Sequence, residues 1–272
     1  MDNTQNIISA FGGGGGILLG TSSVLQNPCT ILYLESEIFN IKVMVECIEK
    51  GRLDKAPVTT VWDEDICLAT RGYTDLLTGI HPQRNWDTLR YGIKKIRPGW
   101  LFFGTSCKEG KEWFQSARVG LQEMGYTTRE GLYNAIEVGA SIDRKWLFVL
   151  GRLAQSGYPR LQIPSWYSNW CRCKTQMQEG VKELPIFPTE VYRPGEPRLQ
   201  SAFPAYPGYG QYDWEATRGV EPRVVGTTDG VPSRVDSLSE PRRENRIRLL
   251  GDEVVSQQAA LALLTLLPKF KE

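Results

Sequence analysis

Up to residues 151–155, short apolar runs alternate with amphipathic stretches. Residues 7–11 and 30–34 are apolar runs of strand length, and 58–62 is short and β-branched. Between them, 38–50 repeats Ile38, Ile41, Val45 and Ile48 at the spacing of one helix face. Another apolar run starts at 75–78. The pattern over 87–97 is helical and stops at Pro98-Gly99, ahead of a strand over 100–103. Residues 108–124 read as a helix closed by Gly125, which suits the left-handed residue past a helix end. The last strand is the apolar run 145–150. Strand–helix alternation of this kind predicts right-handed βαβ crossovers and a doubly wound, mostly parallel α/β sheet.

From about 159 to 241 that pattern dissolves. Prolines, glycines and aromatics dominate, among them Trp166, Tyr167, Trp170, Tyr206, Tyr209, Tyr212 and Trp214, with no repeat period. Such a stretch is either a small irregular second domain or a long functional insertion. Helicity returns over 244–250 and 256–267, where Leu261, Leu264 and Leu267 are placed to pack back on the first domain. The expected division is a core domain over 1–155, an irregular region over 156–240, and a returning helical segment over 241–272.

Composition narrows the classes. A hydrophobic fraction of 41% over 272 residues supports a sizeable core and argues against disorder. Thirty-two Lys+Arg against 31 Asp+Glu leave a formal charge of +1, which excludes a polybasic binder and leaves room for a local basic groove. The longest apolar run, near 254–267, is broken by Ser256, Gln257 and Gln258, so no membrane span is expected. Met1-Asp2 opens without the basic region of a secretory signal. Six cysteines form no Cys-x-x-Cys pair, the nearest spacing being Cys171-Arg172-Cys173, which points to a reduced, cytoplasmic setting and away from a zinc ribbon. With His81 the lone histidine, no metal centre is expected.

Candidate chemistry begins at Phe11-Gly12-Gly13-Gly14-Gly15-Gly16, directly after the first strand. Glycine there permits positive φ and close approach of backbone to a ligand, although a plain flexible turn would use the same residues. In an open α/β sheet, ligands bind beyond the carboxyl ends of the strands, where this loop lies. Glu35 follows the second strand, where an acid can accept hydrogen bonds from a ribose. Asp65 follows the third, where a carboxylate can receive an adenine amine. Together they suit an adenosine-containing cofactor, and the missing Walker lysine argues against a nucleoside triphosphate.

Taken in order, these residues resemble the DNA (cytosine-5) methyltransferases. Phe11–Gly20 is similar to the family's first motif, with Ser9 where an aspartate is usual. Leu34-Glu35-Ser36-Glu37 resembles the second and Asp65-Ile66 the third. Asp75-Leu76-Leu77-Thr78-Gly79-Ile80-His81-Pro82 resembles the approach to the catalytic Pro-Cys-Gln. Val138-Gly139-Ala140 and Arg144-Lys145-Trp146-Leu147-Phe148 resemble the Gly-Ala and Arg-x-Arg segment. Residues 229–236 and 248–255 resemble the closing motifs. The resemblance spans nearly the whole chain, with 156–240 in place of the target-recognition region. It implies the S-adenosylmethionine-dependent methyltransferase fold, and S-adenosylmethionine or S-adenosylhomocysteine held by Phe11, Gly13, Gly15, Gly16, Glu35 and Asp65.

The base-handling residues depart from the family together. Pro82 is followed by Gln83 and Arg84, so the nucleophilic cysteine is substituted or deleted, and an amide cannot replace a thiolate. Gly104-Thr105-Ser106 stands where Glu-Asn-Val would hold the base. Arg144 remains, but Trp146 takes the second arginine's place, and Asp252 and Ser256 replace the usual Asn and Pro. Candidates for residual catalysis are His81, otherwise a loop residue; Cys107, otherwise a structural cysteine; and Arg144. Cys29 and Cys67 read as core. In the irregular region, aromatics beside Arg193, Arg198, Arg218 and Arg223 suit stacked bases and phosphates, and equally suit a protein surface. The run 242–248 is basic, although a solvated helix face reads the same way. DNA and a partner protein are therefore weighted alike. The expected function is a cofactor-binding pseudoenzyme of a phage or restriction-modification setting, in a prokaryotic or phage-infected cell. The alternative is an active S-adenosylmethionine-dependent enzyme with a rebuilt base pocket.

Overall fold

The computed structural model describes residues 4–138, 140, 142–154, 160–163, 249 and 251–270. Residues 164–248 lie outside them, and with them the aromatics and arginines of the irregular region, the basic run 242–248, and the 244–250 helix apart from Leu249.

Among the described residues seven strands form one sheet: β1 (Gln5–Ala10), β2 (Pro28–Leu34), β3 (Val58–Thr59), β4 (Leu76–Ile80), β5 (Trp100–Ser106), β6 (Tyr126–Asn134) and β7 (Lys145–Leu153). Their order is β3-β2-β1-β4-β5-β7-β6. Pairing is parallel from β3 through β5, and β7 alone runs against both its neighbours. The sheet is doubly wound and mostly parallel, as expected. The order reverses between β1 and β4, which opens a crevice at their carboxyl ends.

Alternate residues of the central strands feed opposite cores. Ile7, Leu76 and Phe102 join one cluster, while Ile8, Leu77, Leu101 and Phe103 join the other. Burial on both faces explains why these strands read as unbroken apolar runs. Among the described residues these helices cover the sheet: α1 (Gly16–Val24), α2 (Ile38–Glu49), α3 (Glu64–Thr70), α4 (Trp86–Ile96), α5 (Cys107–Glu123) and α6 (Ser256–Leu266). Leu89, Ile93 and Ile96 of α4 enter the second cluster. Helix α6 is buried over Gln258–Leu264 and packs on α1.

Glycines set that last contact. A Cβ on Gly16 would lie 2.2 Å from the Val254 carbonyl oxygen, and one on Gly20 2.1 Å from that of Ser256. Their one-turn spacing on α1 therefore lets the backbone of 254–256 lie directly against the helix.

Three features depart from the sequence reading. Helix α3 begins where the acids after β3 were expected to face a cofactor: Asp63 is its N-cap and accepts from the Ile66 amide at 2.7 Å. Strand β6 carries Arg129 and Glu130 and pairs on one side only, so it lacks the apolar run of a central strand. Strand β7 is antiparallel because residues 135–144 are too few for a helical crossover from β6.

Candidate functional site

The turn after β1 is built on left-handed backbone: Phe11, Gly13 and Gly15 have φ of 52°, 56° and 90°. The Phe11 amide donates to the Leu34 carbonyl at 2.6 Å, tying the turn to the end of β2. A Cβ on Gly12 would meet Ser9 Oγ at 2.7 Å, so the loop lies down on that buried serine. Gly14 and Gly16 donate their amides to the two carboxylate oxygens of Glu253, at 2.5 and 2.6 Å. Glu253 has no exposed surface.

Beside this loop lies a cavity of about 240 Å³ at the carboxyl ends of β1, β2 and β4. Phe11 and Gly13 line it from the first turn, Glu35, Ser36, Glu37 and Asn40 from the second, and Ile80, His81, Arg84 and Asn85 from beyond β4. Leu249 and Asp252 close it. Glu35 is 2% exposed and accepts from the amides of Ser36 (2.8 Å) and Glu37 (3.0 Å) and from Asn40 Nδ2 (3.4 Å). Burial pushes its carboxyl pKa up, while hydrogen bonds from Glu37, Asn40, Ser36 and Gly13 pull it back. Arg84 grips Asp252 through both terminal nitrogens, the longer bond being 3.1 Å.

Of the residues predicted to hold a cofactor, Phe11, Gly13 and Glu35 line this cavity. Gly15 shapes the turn, and Gly16 faces Glu253 and Val254. Asp65 is exposed in the first turn of α3 and does not line the cavity. Its position complements the helix dipole.

Beyond the carboxyl ends of β4 and β5 the space is packed with side chains. His81, itself at a φ of 46°, donates from Nε2 to the Asp252 carbonyl at 3.2 Å and lies 5.0 Å from the Trp146 ring. A carbonyl only accepts, so Nε2 carries a proton, and Nδ1 lies 3.5 Å from both Gln83 Nε2 and Thr105 Oγ1. Thr105 Oγ1 donates to Gln83 Oε1 at 3.0 Å. Trp146 is 1% exposed, and a Cβ on Gly104 would stand 3.3 Å from its ring and 3.0 Å from Phe148. Arg144 donates to the Glu253 carbonyl at 2.8 Å, so it braces the closing segment. Cys107 opens α5, and its side chain lies outside the described residues. Cys67 is buried and Cys29 half-buried.

Sequence reasoning missed Glu253, Arg84 and Asn40. The signal for Glu253 was an acid beside two buried valines, Val254 and Val255, but its partners are 237 and 239 residues away. Among the described residues no cluster of His, Cys, Asp and Glu could hold a metal, and no helix is long and apolar enough to cross a membrane.

No family model and no curated protein matches the chain. Solved structures similar to it include the Dnmt2 methyltransferase of S. pombe, at 14% identity and a TM-score of 0.46 over 66% of this chain and 57% of that one. Another is a putative DNA modification methyltransferase encoded within an E. coli prophage, at 15% and 0.43 over 55% and 47%. A third is the methyltransferase domain of bacterial CtHen1-CN, at 16% and 0.40 over 56% and 91%. The chain thus spans about half the length of the first two.

Proposed function

We propose that this chain is a non-catalytic binding protein on a DNA cytosine-5 methyltransferase scaffold. It holds the adenosine part of S-adenosylmethionine or a related ligand beside Glu35 and engages DNA or a protein partner. The packed acceptor side carries the reading. Gln83, Thr105, His81 and Trp146 contact one another where the family resemblance puts a base, and Gly104 has neither carboxylate nor room for one. On the ligand side, a buried carboxylate lines an open cavity, the arrangement a ribose diol needs. When bound, S-adenosylmethionine would supply an electrophilic methyl group, but this chain offers no thiolate at Gln83 to activate a cytosine.

Titration with S-adenosylmethionine, S-adenosylhomocysteine and adenosine tests the ligand half. We expect binding that Glu35→Ala weakens by about 1–3 kcal/mol, the range for hydrogen bonds to a charged group. Failure of all three to bind removes the cavity from the proposal. Duplex DNA carrying 5-fluorocytosine tests the other half: no covalent adduct should form, and Gln83→Cys alone should not restore methylation, since catalytic groups act as a unit. An adduct on the unmodified protein, for instance at Cys107, overturns the non-catalytic reading. Anisotropy with labelled duplex separates the partner classes, because DNA binding weakens steeply with salt.

A further inference from the structure

A glycine turn ahead of a helix offers its first amides to an anion. Here those donors already have one. The amides of Gly14 and Gly16 bind the two oxygens of the fully buried Glu253 carboxylate, and Gly13 stands against the same group, its Cβ position 3.3 Å from Glu253 Oε2. Arg144 holds the Glu253 carbonyl from behind, and the carbonyl of the next residue, Val254, fills the space beside Gly16.

The free volume agrees with this arrangement. The cavity ends at Gly13, and Gly14, Gly15 and Gly16 do not line it. A separate space against Gly12–Gly15 amounts to about 10 Å³, no more than a single water occupies. Charge points the same way. Among the described residues lining the cavity, Glu35, Glu37 and Asp252 outnumber Arg84, whose guanidinium is paired with Asp252. A ligand carboxylate brought to the loop would meet like charges and would have to turn Glu253 out of its buried hydrogen bonds, leaving a charge without its donors.

We propose that Glu253 is a built-in occupant of the loop's anion cradle, and that the cavity therefore selects adenosine ligands without a carboxylate. A neutral thioether nucleoside such as 5′-methylthioadenosine is then preferred over S-adenosylhomocysteine. This rests on the reading above that the cavity takes an adenosine ligand.

Calorimetry on the full chain with those two ligands tests it, using the unmodified protein, Glu253→Ala and Glu253→Gln. The unmodified protein should bind 5′-methylthioadenosine at least about tenfold more tightly than S-adenosylhomocysteine, a 1.4 kcal/mol difference. Glu253→Ala should raise affinity for S-adenosylhomocysteine by about tenfold or more and leave that for 5′-methylthioadenosine nearly unchanged. Glu253→Gln, which keeps the shape and removes the charge, should fall between. If Glu253→Ala does not fold, the unmodified protein and the Gln variant still decide. Equal or tighter binding of S-adenosylhomocysteine by the unmodified protein overturns the inference and leaves the adenosine cavity standing. Binding of neither ligand by any form overturns both.

Discussion

Glu35 and Glu253 are both almost inaccessible, yet they stand in different relations to a ligand. Glu253 accepts from the amides of Gly14 and Gly16, whereas Glu35 lines open space. Because burial raises the Glu35 pKa, the folded protein takes up a proton there before the unfolded chain does. Ionising it therefore lowers stability as pH rises through the window above the ordinary glutamate value. A ribose hydroxyl donating to the ionised form reverses that preference. Adenosine binding should release a proton within this window and strengthen as pH rises through it; calorimetry in buffers of different ionisation enthalpy measures the release, which Glu35→Gln should abolish. The packing around Gly104 gives a second test. Gly104→Glu should destabilise the protein by about 1–3 kcal/mol through overpacking against Phe148 and Trp146. Urea titration should show a smaller penalty in a Trp146→Ala background, since contacting residues couple.

Helices and strands were legible wherever their stabilising partners are local or their burial is two-sided. β1, β2, β4 and β5 announced themselves as apolar runs because both faces are covered. α3 did not, because its cap and first-turn acids are the same residue types that a nucleotide site uses after a strand. β6 was hidden by its edge position. The site divides in the same way: the glycine turn and Glu35 are read from neighbours in sequence, while Glu253 and the Arg84–Asp252 pair join positions that no local pattern connects. The α1–α6 contact is the element whose geometry is most exacting. Gly20→Ala places a methyl 2.1 Å from the Ser256 carbonyl and 2.9 Å from Ala259 Cβ, so the helices must move apart. Such strain should lower the urea midpoint by the equivalent of about 1–3 kcal/mol, and a midpoint unchanged from the parent would mean the two helices separate freely.

At the scale of the whole molecule, the first strand and the last helix are partners. β1 is flanked by β2 and β4 in the middle of the sheet, and the turn that follows it is completed by residue 253. α6 supplies Leu261, Leu263, Leu264 and Leu266 to the same cluster as Ile7 and Ile17. Removing residues 249–272 should leave secondary structure by far-ultraviolet circular dichroism, with dye-binding apolar surface and no cooperative unfolding transition. A truncated chain that melts cooperatively would show that the helix is an accessory. The Glu253 bond also orders events in time during synthesis. Gly14 and Gly16 are translated first, and their acceptor follows 239 and 237 residues later. Over that interval the glycine amides have no Glu253 to bind and α1 has no α6 to cover it, so the apolar surface that the folded protein buries there is exposed to chaperones.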